Sequence, residues 1–125
     1  MNKLAAVALG GMVGASLRYL VGAWAERTLG TAFPWGTAIV NITGCLFIGF
    51  LMTLIMKIAP LSTELCLFLV TGTLGSLTTF STFSYETLRL IQQGSVLAGF
   101  ANVAVNLLLG LAAVLVGSGA AHLLN

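Results

Sequence analysis

The segment GSLTTFSTFSYE, residues 75 to 86, concentrates the groups in this chain that could act on a small polar species. Six of the nine residues from Ser76 to Ser84 carry a hydroxyl, and the other three are Leu77, Phe80 and Phe83. A hydroxyl donates and accepts without formal charge, and the edge of a phenyl ring is the positive part of its quadrupole. Phe80 and Phe83 stand three apart and share a helical face, with Ser81, Thr82 and Ser84 spread over the neighbouring faces. A small anion running along ring edges and hydroxyls is attracted enough to enter, yet meets no full charge that would trap it. Asn41, in a separate apolar stretch, offers the NH₂ donor pair that a hydroxyl wall lacks. A phenylalanine in an apolar stretch ordinarily faces lipid or fills a core, so these rings gain meaning only from the donors around them.

The same segment bears on backbone chemistry. Gly72 and Gly75, followed by the dense Ser/Thr run, supply flexibility and alternative hydrogen bonds that interrupt a helix. They predict a break near residues 75 to 79. Freed carbonyls at membrane depth need protein or trapped water to satisfy them, and a monovalent cation is the simplest acceptor of converging carbonyl oxygens. The competing arrangement is a continuous helix whose hydroxyls bond back to the carbonyls four residues earlier. Residue types alone leave both open.

The elements that must position these groups follow from composition. Of 125 residues, 58% are hydrophobic and only 6% charged, too few to cover a water-soluble surface. The chain is therefore an all-α membrane protein. Its formal charge of +2 is thinly spread, which excludes nucleic acid as a partner. Cys45 and Cys66 belong to no metal-binding pattern and read as small buried hydrophobes, and His122 at the tail reads as a bystander. No nucleotide motif or catalytic dyad is present, so no enzyme is expected. Charges and turn residues separate four apolar stretches of roughly 21 to 27 residues, about 4–24, 35–56, 65–85 and 95–121, each long enough to cross a hydrocarbon core of about 30 Å. They form one domain of four transmembrane helices joined by short loops, with neighbours antiparallel. The first stretch imitates a signal peptide, but its apolar character resumes beyond Arg18, so it is read as a retained span.

Basic residues hardly favour either orientation. Lys3 and Lys57 fall on one side, Arg27 and Arg89 on the other, with Arg18 near that second side. The positive-inside rule then has little to act on, and insertion in both directions would let an up copy and a down copy meet as a two-fold dimer. A single deciding residue such as Lys3 is the alternative. A dimer would also account for the glycines and asparagines inside the spans, which lipid does not need and helix interfaces do. Asn102, Asn106 and Gly110 recur every four residues as one polar or small stripe, read as packing glue in preference to a transport site.

Three segments in order, GGMVGASLRY (10–19), GTAIVNITGCLFIG (36–49) and GTLGSLTTFSTFSYE (72–86), resemble the Fluc/CrcB family of bacterial fluoride channels, and the likeness covers the whole chain. The resemblance implies four transmembrane helices per subunit with the third helix broken, and an antiparallel dual-topology homodimer in the bacterial inner membrane. It further implies two fluoride pores at the subunit interface and a structural sodium ion at the dimer centre. By position, Phe80 and Phe83 are similar to the family's pore phenylalanines and Asn41 to its second-span asparagine. Gly75 and Thr78 match the residues whose backbone carbonyls face the sodium. Thr79, Ser81, Thr82 and Ser84 match the hydroxyl run, Arg18 the first-span arginine near an aqueous mouth, and Glu86 the carboxylate ending the third span. Gly110 and Val114 depart from the Ser and Thr of some members, so no fourth-helix residue is carried over.

Such a channel would export cytoplasmic fluoride passively and give fluoride resistance. A rival class is a small proton-coupled transporter with Glu86 as carrier carboxylate, against which stands an ordinary i, i+3 pair of Glu86 with Arg89. A helper subunit for another complex would leave the hydroxyl run without a purpose.

Overall fold

Turn chemistry sets where each helix begins and ends in the computed structural model, which describes residues 2 to 124. Helix α1 (Lys3–Leu29) opens on Asn2, whose Oδ1 accepts from the Leu4 amide at 3.0 Å, and closes on Gly30, whose φ of +84° suits only glycine. Helix α2 (Trp35–Lys57) starts directly after Pro34, which has no amide hydrogen to leave unsatisfied. The third span, Thr63–Gln92, begins at Ser62, whose Oγ accepts from the Leu65 amide at 3.3 Å, and stops before Gly94 at φ +85°. Within it lie α3 (Thr63–Cys66), a wider π-wound stretch Leu67–Leu74, α4 (Gly75–Leu77) and α5 (Phe80–Gln92). The fourth span, Val96–His122, comprises α6 (Val96–Ala104), a π-wound stretch Val105–Leu109 and α7 (Gly110–His122). All four spans are long and apolar enough to cross a membrane, and the described residues contain no strand.

The helices outrun the apolar stretches. Glu26 and Arg27, expected in a loop, lie in the last turns of α1, and Glu86, Arg89 and Gln92 lie inside α5. Glu, Arg and Gln are good helix formers, so the end of apolarity marks where the helix leaves hydrocarbon, and the backbone stops only at the next glycine. Cys45 and Cys66 are free and half-buried, and His122 is exposed.

Packing is dominated by two close helix pairs, α2 with α7 and α1 with the first half of the third span. Both pairs are made by glycine. A methyl group on Gly14 would collide with the Thr73 backbone and the Ser76 hydroxyl, and one on Gly117 would strike the Leu46 carbonyl of α2. Lipid tails are as apolar as leucine, so helices associate in a membrane by approaching closely enough for dispersion and polar contacts. After Leu77 the third span changes partners: α5 leaves α1 and lies mainly against α6.

Candidate functional site

The change of partners happens at two residues. Thr78 (φ −81°, ψ 156°) and Thr79 (φ −153°, ψ 114°) are extended, between the end of α4 and the start of α5. Gly75, credited in the sequence with the flexibility for this, is ordinary helix at φ −63° and ψ −31°. The bend is instead made by side-chain hydrogen bonds. In an uninterrupted helix the Thr79 amide would donate to the Gly75 carbonyl; here it donates to Asn41 Oδ1 at 2.8 Å, and Asn41 Nδ2 donates back to the Thr79 carbonyl at 3.2 Å. The Thr82 amide, whose helical partner would be the Thr78 carbonyl, donates to Thr79 Oγ1 at 3.2 Å, so Thr79 is the N-cap of α5. Both the Gly75 and the Thr78 carbonyls thereby lose their helical donors.

The hydroxyl run divides into two groups. Ser76 donates to the Gly72 carbonyl (2.7 Å), Thr78 to the Leu74 carbonyl (3.0 Å) and Ser84 to the Phe80 carbonyl (2.9 Å), each four residues back. Their protons are spent on the backbone. Thr79 Oγ1 donates to Thr82 Oγ1 at 3.0 Å, while the exposed Thr82 keeps its own hydroxyl proton and the exposed Ser81 has only a long 3.4 Å approach to Thr79 Oγ1. Ser81 and Thr82 are therefore the members with donors to offer.

The rings of Phe80 and Phe83 meet edge-on, with centroids 5.4 Å apart and planes at 60°. Phe83 is 6% exposed and Phe80 73% exposed, so the pair reaches from the interior to an open face. Asn41 stands beside them, but both of its amide hydrogens are engaged, one by the Thr79 carbonyl and one by Asn106 Oδ1 at 2.8 Å. The donor pair expected to meet an anion is thus turned inward.

Two clefts surround this arrangement, and Thr79 lines both. One of about 480 Å³ is lined by Arg18, Glu26, Thr37, Thr82, Glu86 and Arg89 among others. The other, of about 340 Å³, brings together Asn41, Gly75, Thr78, Phe80, Phe83 and Asn106. Ser81 and Ser84 line neither and lie exposed. Glu86 Oε1 accepts from Thr37 Oγ1 at 2.9 Å, whereas its Oε2 is buried with no hydrogen-bond partner, so the expected pairing with Arg89 is not what holds it. Thr37 was not foreseen; a threonine at the mouth of an apolar helix carries no signal until the fold brings it to a carboxylate 49 positions away.

Among the described residues no group of three or more His, Cys, Asp or Glu could hold a metal ion. The donor set available for a cation is the pair of released carbonyls at Gly75 and Thr78, hard neutral oxygens that suit a monovalent ion better than a transition metal. Gly75 also keeps its surface clear, since a methyl group there would meet only the Val70 carbonyl at 3.7 Å.

Comparison with known proteins finds a family and several relatives. Residues 5–118 match the family described as CrcB-like protein, Camphor Resistance (CrcB). The chain is 48% identical over 119 residues to the fluoride-specific ion channel FluC of Chloroflexus aurantiacus, covering 95% of this chain and 94% of that one. It is 48% identical over 118 residues to the protein of the same name from Clostridium perfringens, covering 94% and 92%. A third, from Rhizobium meliloti, is 44% identical over 117 residues, covering 94% of each.

Proposed function

The chain belongs to the CrcB family, and from that premise we propose that it is a fluoride-selective ion channel that passively exports cytoplasmic fluoride and so confers fluoride resistance. The observation that carries this reading is the junction at Thr79, where a charged, half-polar cleft holding Arg18 and Glu86 adjoins a mostly apolar one edged by Phe80 and Phe83. Fluoride is small, tightly hydrated and a strong hydrogen-bond acceptor, so its water must be replaced by many weak donors. The free hydroxyls of Ser81 and Thr82 and the ring edges are such donors, with Ser84 and Asn41 flanking the route. A ring of guanidinium groups would hold the ion too long for conduction.

The second cleft is open to the outside, and Phe80 at its edge is 73% exposed. An inverted second copy of the chain closes it, which makes the working unit an antiparallel dual-topology homodimer in the bacterial cytoplasmic membrane with two interfacial pores. The extended Thr78–Thr79 step is the functional break of the third helix in this reading. The Gly75 and Thr78 carbonyls of both copies would hold a structural sodium ion at the interface, whose positive charge neutralises carbonyl dipoles left without donors. Export needs no energy source: hydrofluoric acid crosses membranes unaided and ionises inside, and an inside-negative potential favours exit of the anion by about 2.3 kcal/mol per 100 mV.

The unpartnered Glu86 Oε2 favours one rival, a proton-coupled carrier using that carboxylate. Purified protein in fluoride-loaded liposomes separates the two. A channel empties them rapidly once potassium is made permeant, with no need of a pH gradient, and chloride stays behind. Slow efflux that follows an imposed proton gradient would replace the channel with the carrier, and no fluoride movement would sink both. Epitope tags at the C-terminus should appear on both membrane faces; a single orientation removes the dual-topology dimer.

A further inference from the structure

Three asparagines on two helices and a threonine on a third form one chain of hydrogen bonds that begins and ends on the backbone of the third span. Asn41 Nδ2 donates to Asn106 Oδ1 (2.8 Å), Asn106 Nδ2 to the Asn102 carbonyl (2.9 Å) and its Oδ1 (3.0 Å), Asn102 Nδ2 to Thr87 Oγ1 (2.9 Å), and Thr87 Oγ1 to the Phe83 carbonyl (2.8 Å). Every donor points the same way, so each bond polarises the next. The starting end is the Asn41 amide that pairs with both backbone groups of Thr79. The far end holds the carbonyl of the residue bearing the buried pore ring. Asn102 is 0% exposed and lines neither cleft, so it touches no ion in transit. Asn106 is the second residue of the π-wound stretch of the fourth span, and its side chain donates to the Asn102 carbonyl, the acceptor of the Asn106 amide in a regular helix.

We propose that Asn106, Asn102 and Thr87 are positioning residues for conduction, acting through Asn41, which serves as a clamp on the Thr78–Thr79 step and not as a fluoride donor. The amide of Asn41 can turn over in either of two ways, and only one presents Oδ1 to the Thr79 amide. Asn106 Oδ1, itself an acceptor, selects the orientation that puts Nδ2 toward the fourth helix. That orientation keeps the Thr79 amide away from the Gly75 carbonyl. Asn106 in turn is oriented by Asn102, and Asn102 by Thr87. This inference rests on the channel reading given above, since it concerns how that pathway is held open.

The test uses Asn102→Leu and Thr87→Val, both close in shape to the native residues, singly and together. Fluoride efflux from liposomes is read alongside backbone hydrogen exchange of residues 78–82 and of α1 in the same purified protein. Each single variant should slow efflux by about tenfold, in the range set by stranding one buried polar group, and the double variant should lose no more than either alone. Exchange at 78–82 should rise several-fold in all three, with α1 unchanged. Unaltered efflux in both single variants would overturn the proposal, as would losses that multiply together with faster exchange along the whole chain, which is the mark of general destabilisation. If the unaltered protein moved no fluoride, the channel reading would fail by itself. Exchange at 78–82 would still decide the clamp, with unchanged exchange there refuting it.

Discussion

The two halves of the third span are built from the same residue types and do different work. Before Thr78, Thr73 and Ser76 are absorbed by the backbone: Thr73 donates to the Phe68 carbonyl at 2.9 Å, and Ser76 to the Gly72 carbonyl at 2.7 Å and across to the Gly11 carbonyl of α1 at 3.1 Å. After Thr79, on a helix that has left α1, Ser84 still donates to the Phe80 carbonyl at 2.9 Å, but the exposed Ser81 and Thr82 keep their protons. A hydroxyl pressed against a neighbouring helix must spend its proton on a carbonyl, because an unsatisfied polar group in hydrocarbon is costly. An exposed one need not. The residue types alone do not separate the two cases.

The largest effect should come from forcing the first half away from its neighbour. In Gly14→Val the added side chain meets the Ser76 hydroxyl and the Thr73 backbone, and the backbone has no flexible end to move aside; we expect a loss of several kcal/mol, well beyond the roughly 1–3 of ordinary overpacking. The variant should fail to yield folded protein by size-exclusion chromatography. A normal yield would mean that the first half is as loosely held as the second.

Next in size are the rings of the second half. Phe83→Ile and Phe80→Ile keep apolar bulk but remove the electropositive edge, and both should cut fluoride efflux by about a hundredfold, on the order of 3 kcal/mol at the barrier. They should differ in stability. Phe83 is buried and its replacement costs about 1–2 kcal/mol, whereas Phe80 lies open in the isolated subunit and its replacement costs little. Thermal unfolding in detergent checks the contrast. Full efflux in both variants would remove the rings from the pathway.

Much of this organisation is legible in the residues, for definite reasons. Four spans follow from apolar runs between charges, since a bilayer admits little else. The density of hydroxyls around Phe80 and Phe83 points to the segment where the third span changes partners, because lipid gives such a run no use. Helix ends were less legible at Glu26–Arg27 and Glu86–Arg89, where the helix continues into water on intrinsic propensity until glycine ends it. The partition of hydroxyls into spent and free was not legible, for it depends on the neighbouring helix at Ser76 and on back-bonding within the helix at the exposed Ser84. Nor was the inward turn of Asn41, since an asparagine's two faces are assigned only when Thr79 and Asn106 are brought against it.

Gly75 sharpens the comparison at the boundary between the halves. Its helical angles and open surroundings mean that Gly75→Val should fold within about 1 kcal/mol of the unaltered subunit. Any severe loss must then arise where two copies meet. We expect intact monomer in detergent with a dimer fraction sharply reduced and efflux lost in proportion. A variant that misfolds as a monomer would mean that Gly75 serves the subunit's own fold.

The smallest effects give the finest division, because one substitution can be made on each side of the step. Ser76→Ala removes a hydroxyl whose acceptors are carbonyls on α1 and on its own helix, so stability should fall by about 0.5–1 kcal/mol while efflux is unchanged. Ser81→Ala removes a hydroxyl with only a long approach to Thr79 Oγ1 at 3.4 Å, so unfolding should be unmoved while efflux falls about threefold, the worth of one modest hydrogen bond to the ion. The two measurements must cross: stability changes without flux at Ser76, flux without stability at Ser81. If both variants lost stability and flux together, the hydroxyls would be equivalent, and the step at Thr78 and Thr79 would divide nothing but the direction of the helix.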